Sequence, residues 1–90
     1  MKQVHLWISG FVQGVGYRAH TRREARKRGL TGWVTNLADR RVEAVIQGPE
    51  DKLKEMITLA KNGSYFAQVQ NVVVEWEEIT EKFEDFQVIK

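Results

Sequence analysis

The sequence predicts an α+β sandwich, a sheet of four or five antiparallel strands with two helices on one face. Three observations lead there. Stretches of alternating hydrophobicity and stretches of helical spacing follow one another in the order β-α-β-β-α-β. The second and third strands are joined by a link so short that they must form an antiparallel hairpin. The chain of 90 residues is 42% hydrophobic, with nine aromatics (three Trp, two Tyr, four Phe), enough for one domain around one modest core. The expected domain therefore covers residues 1–90.

Each element has its own signature. From Gln3 to Ser9, Val4, Leu6 and Ile8 alternate with His5, Trp7 and Ser9, the period of a strand. Gly10 to Gly16 is a loop punctuated by glycine. Tyr17 to Arg28 reads as a helix with a thin apolar stripe of Tyr17, Thr21 and Ala25, and Gly29 is placed to end it. Gly32 to Leu37 and Arg41 to Gln47 are the hairpin strands, with a polar turn at Asp39. Gly48 and Pro49 break the chain. Glu50 and Asp51 then suit the positive end of a second helix, where Leu53, Met56, Ile57 and Ala60 recur as a core-facing stripe. Asn62 and Gly63 stop it. Gln68 to Trp76 is a β-branched strand, and Phe83 to Ile89 a short last one. This order defines the ferredoxin-like, or split β-α-β, arrangement.

Composition narrows the chemistry. Zero cysteine excludes a disulfide scaffold, thiolate metal sites and a cysteine nucleophile, and it fits a reducing cytoplasm. No apolar run approaches the ~20 residues of a membrane span, so no membrane partner is expected. No His and carboxylate set has metal-ligand spacing. The net charge of +2 hides an uneven distribution. Arg18, Arg22, Arg23, Arg26, Lys27 and Arg28 crowd the first helix, while Glu75, Glu77, Glu78, Glu81, Glu84 and Asp85 crowd the C-terminal part. Most such runs are solvated faces.

Arg18 differs by position. Gly10-Phe11-Val12-Gln13-Gly14-Val15-Gly16-Tyr17-Arg18 runs from a strand into a helix. Its glycines permit positive φ, its successive N–H groups can form an anion-binding nest, and the helix adds its own unpaired N–H groups. Arg18 in the first helical turn offers a planar fork that matches phosphate oxygens. Gly14 to Ala19 also fits the dinucleotide fingerprint, but the second strand here is tied into a hairpin rather than a parallel β-α-β unit. The Walker pattern fails, because no lysine follows a loop glycine. Asn36, at the end of a strand, supplies a carboxamide that can orient a water molecule.

These residues resemble a known family. Gly10 to Arg18 is similar to the acylphosphatase signature G-x-V-Q-G-V-x-F-R. Gly32-Trp33-Val34-Thr35-Asn36, with Val42 and Gly48 beyond it, resembles the family's second signature, and Asp85-Phe86-Gln87-Val88 has the family's look. The resemblance implies a small stand-alone hydrolase that converts acyl phosphates to carboxylate and inorganic phosphate without metal or cofactor. It implies that Arg18 binds the phosphate and that the backbone N–H groups of Gln13, Gly14, Val15, Gly16, Tyr17 and Arg18 cradle it. It implies that Asn36 positions the attacking water. The implied partners are a small-molecule acyl phosphate and, as product or inhibitor, phosphate or other small anions. A cytoplasmic monomer without nucleic acid is expected. Tyr17 stands where the family has Phe, Thr35 where it often has Lys, Arg or Gln, and Arg40 where it has Gly in the hairpin turn. If that turn needs φ > 0, Arg40 costs roughly 1 kcal/mol.

The chemistry is self-consistent. A carboxylate leaving group, with pKa near ~4–5, needs no general acid. The loose transition state of phosphoryl transfer asks mainly for positioning and charge stabilisation. The alternative is a ferredoxin-like RNA- or ligand-binding module without catalysis. RNA would stack on aromatics of the central strands. Trp7 offers one aromatic, but Arg41 to Gln47 offers none. His20 reads as solvated helix surface, His5 as packing or edge surface, and Trp7, Trp33 and Trp76 as core or half-buried sheet residues.

Overall fold

In the computed structural model, which describes residues 1–64 and 66–89, the chain forms seven elements: β1 (Lys2–Phe11), α1 (Tyr17–Lys27), β2 (Thr31–Asn36), β3 (Val42–Gly48), α2 (Glu50–Asn62), β4 (Gln68–Glu77) and β5 (Phe86–Ile89). The sheet has five strands in the order β4-β1-β3-β2-β5. β1 pairs antiparallel with β3 and β4, and β2 pairs antiparallel with β3. β5 departs from the all-antiparallel expectation, because it lies parallel to β2 with Val34 opposite Val88. The reason is topological. β4 and β5 occupy opposite edges of the sheet, so the chain crosses between them at one end and re-enters in the direction of β2.

The alternation read in β1 sorts its side chains as expected. Val4, Leu6 and Ile8 join Val34, Val42, Ala44, Ile46 and Phe86 in the core, beneath Tyr17 and Ala25 of α1 and Leu53 and Met56 of α2. Helix α1 ends as its glycine predicts. The Leu30 N–H donates to the Ala25 carbonyl at 2.9 Å, and the Gly29 N–H to Arg26 at 3.1 Å. Gly32 answers to close packing: a Cβ there would stand 1.9 Å from the Val45 carbonyl oxygen of the neighbouring strand.

The other sheet face is open and polar. His5 lies between two carboxylates, with Nε2 2.6 Å from Glu43 Oε2 and Nδ1 2.8 Å from Glu77 Oε2. Its ring stacks on Trp7 at 3.8 Å and meets Trp33 edge-on. Trp7 and Trp33 are half-buried, as read from the sequence, whereas Trp76 is 45% exposed because its strand is an edge of the sheet. Trp7 lies opposite Glu43 and is stacked on His5, which Glu43 and Glu77 hold between them, so this aromatic patch is a poor platform for a polyanion.

Candidate active site

The site begins with backbone conformation. Between β1 and α1, Gly14 and Gly16 have φ of 75° and 79°, in the left-handed region that favours glycine. A Cβ at either would meet nothing within 4 Å, so conformation and not crowding selects glycine there. Gly16 is also the residue that opens α1, with no side-chain cap and no acidic residue in the first turn. The positive end of the helix therefore meets no carboxylate of its own. Among the described residues, the N–H groups of Gln13 to Arg18 donate to no protein acceptor.

Three anchors hold this loop. Val12 is buried in the core. The Gln13 side chain donates from Nε2 to the carbonyls of Leu37 at 2.9 Å and Arg41 at 3.0 Å, which fastens the loop to the β2–β3 hairpin. The hydroxyl of Tyr17 donates to the Ala60 carbonyl at 2.9 Å and so ties the start of α1 to α2. Burial pushes the Tyr17 phenol well above its ordinary value, so it stays a neutral donor. The sequence reading used only the Gln13 backbone. Its side chain as a strut follows from a tertiary contact that no spacing rule reveals.

Arg18 lines a surface hollow with Gly14, Gly16, Tyr17, Arg22 and Val88. Asn36 does not line that hollow. It stands at the same end of the sheet, opposite Val42, which in turn faces Ile8 of the strand that leads into the loop. The two-residue period puts Asn36 on the helix-facing side with buried Val34. Its Oδ1 is buried and accepts no hydrogen bond from the described residues. Two hydroxyls share that condition, Thr31 Oγ1 at the far end of β2 and Ser64 Oγ beyond α2.

The basic stretch of α1 divides into two groups. Arg28 bonds Glu24 and Glu55, each at 2.9 Å, and Arg23 and Lys27 also approach Glu24. The Arg28 hydrogen bond, more than the neighbouring charges, holds the Glu24 carboxyl below its ordinary value. Arg26 bonds Asp85 and the Phe86 carbonyl. Arg18 and Arg22 have no ion pair among the described residues. His20 faces Arg23 of its own helix, with Nδ1 3.0 Å from the guanidinium, in keeping with a surface position.

A glycine loop that opens a helix on a ferredoxin-like sandwich gives an α/β protein with one candidate anion site, and comparison with known proteins gives its family. The acylphosphatase family model matches residues 4–88. The acylphosphatase of Thermococcus kodakarensis is 50% identical over 91 aligned positions, covering 99% of each chain. The solved acylphosphatase structures from Bacillus subtilis and Coxiella burnetii superpose with TM-scores of 0.96 and 0.92 at 39% and 36% identity. They cover 100% and 98% of this chain, and 100% and 92% of their own. The chain belongs to the acylphosphatase family, and its activity is hydrolysis of the acyl-phosphate bond.

Proposed function

We propose that the Gly10 to Arg18 loop is the phosphate-binding loop of this hydrolase. The N–H groups of Gln13, Gly14, Val15, Gly16, Tyr17 and Arg18 and the Arg18 guanidinium hold the phosphoryl oxygens, and Asn36 orients the attacking water. The observation that carries this reading is the Asn36 carboxamide, whose buried Oδ1 is left as an acceptor beside the loop. A buried acceptor normally has a partner, and here a water hydrogen can supply it.

The chemistry then runs in one displacement. Water attacks phosphorus, the bond from phosphorus to the acyl oxygen breaks, and the carboxylate leaves with its electron pair. Arg18 and the N–H groups neutralise charge on the equatorial oxygens, where a loose transition state keeps it. The Asn36 amide aligns the water but takes no proton from it. That proton passes to a phosphate oxygen, giving carboxylate and inorganic phosphate. Each step uses residues of one chain, so a monomer suffices. The absence of cysteine suits a cytoplasmic setting, and among the described residues no helix is long and apolar enough to cross a membrane. The test is hydrolysis of benzoyl phosphate with EDTA present. Activity that vanished on chelation, or an Arg18→Gln variant with wild-type turnover, would overturn the proposal.

A further inference from the structure

We infer that Arg22 is a specificity residue that favours acyl phosphates whose acyl portion carries its own negative charge. This rests on the phosphate-loop reading above. Arg18, Arg22 and Arg26 form one stripe along α1, four residues apart. Arg26, at the far end, is engaged by Asp85 and the Phe86 carbonyl. Arg22 has no such partner among the described residues, and it lines the same hollow as Arg18, with Val88 as an apolar wall.

The geometry separates two jobs. Arg18 lies in the first turn of α1, directly after the loop N–H groups that hold the phosphoryl group. Arg22 lies one turn further along the helix, about 6 Å from Arg18 along the axis. A substrate whose phosphoryl group is seated in the loop can extend its acyl portion along the hollow toward Arg22. A carboxylate or second phosphate there meets a guanidinium that no anion among the described residues has claimed. Arg22 is exposed, so the attraction is that of a surface pair, modest and weakened by salt.

The experiment compares kcat/KM for benzoyl phosphate and 4-carboxybenzoyl phosphate in wild type, Arg22→Gln, Arg22→Glu and Arg22→Lys. The ratio favouring the carboxylated substrate should fall about two- to five-fold in Arg22→Gln and further in Arg22→Glu, and return toward wild type in Arg22→Lys. The difference should shrink at high salt, and the inhibition constant of inorganic phosphate should move less than the ratio. An unchanged ratio in Arg22→Gln and Arg22→Glu overturns the inference while leaving the hydrolase reading intact. An equal fall for both substrates with weakened phosphate inhibition also overturns it, since Arg22 would then hold the phosphoryl group. Failure of wild type to hydrolyse either substrate overturns the function itself, and this inference with it.

Discussion

Two carboxamides stand at opposite ends of the hairpin formed by β2 and β3. Gln47 is 1% exposed and saturated: its Nε2 donates to Gln3 Oε1 at 2.7 Å and to the Glu81 carbonyl at 2.6 Å, and its Oε1 accepts from the Phe83 N–H at 3.2 Å. Asn36 keeps a buried Oδ1 with no donor among the described residues. The first amide pins the crossing chain between β4 and β5 to the sheet. The second lies beside the loop that carries Arg18. The same contrast recurs along α1 and its C-terminal cap, where Arg26 and Arg28 are bonded and, among the described residues, Arg18 and Arg22 have no ion pair. Residue type alone separates neither pair. A polar group that the fold has fully partnered serves stability, and one left without a protein partner has a hydrogen bond to give a ligand or a water.

Five substitutions, the last read by titration, test that contrast and the fold around it, in descending order of effect. Arg18→Gln should lower kcat/KM for benzoyl phosphate by about 10³-fold or more, the scale of an arginine that stabilises phosphoryl transfer. Its thermal melt should stay close to wild type. A large fall in melting temperature would mean that Arg18 supports the fold instead. Under the proposed role of Asn36, with its amide on the water and not on the bound phosphate, Asn36→Ala should reduce kcat about 10²-fold with little change in KM. A rise in KM with kcat preserved would move Asn36 into substrate binding.

Gln47→Ala should do the reverse, costing about 3 kcal/mol of stability by leaving the Glu81 carbonyl and the Phe83 N–H without their partner, while turnover at low temperature persists. Denaturant unfolding measures it, and a loss below about 1 kcal/mol would show that water replaces the amide. Arg40→Gly should stabilise by roughly 1 kcal/mol, a rise of about 4–8 °C for a domain this size. Arg40 sits at φ 77°, the sole described residue other than glycine with positive φ, as its place in the hairpin turn predicts. An unchanged or lower melting temperature would mean that other contacts offset the strain.

The smallest expected effect is on acid stability. Burial pushes the Glu77 carboxyl up, but hydrogen bonds from Gln3 and His5 and the charge of His5 outweigh it and hold it below its ordinary value. A depressed carboxyl contributes fully above its unfolded pKa of ~4.3, and the contribution is lost as pH falls through the lower folded value. Glu50, beside Lys2 and Lys54, is lowered to about 2 and follows the same sign. Melting temperature should therefore decline below about pH 4, and Glu77→Gln should flatten that decline. A decline of the same slope in the variant would exclude Glu77 as a contributor.

By itself the sequence determined the element order, the helix stop at Gly29 and the core stripe of Leu53 and Met56, and it marked Arg40 as the turn residue whose φ the structure then found positive. These rest on local rules: side-chain period, glycine's freedom and turn length act within a few residues. The loop and Arg18 were legible for the same reason, since strand, glycines and helix start are contiguous. Tertiary structure alone decided the rest. The parallel seating of β5 depends on where β4 ends relative to β2, a relation between strands far apart in sequence. Gln13 reaches Leu37 and Arg41, and Gln47 reaches Gln3, Glu81 and Phe83. The division of the arginines followed from Glu24, Glu55 and Asp85, two of which arrive from other elements or loops. Whether a polar side chain is spent on the fold or kept for a ligand is set by which neighbours packing brings to it, and packing is a property of the whole chain.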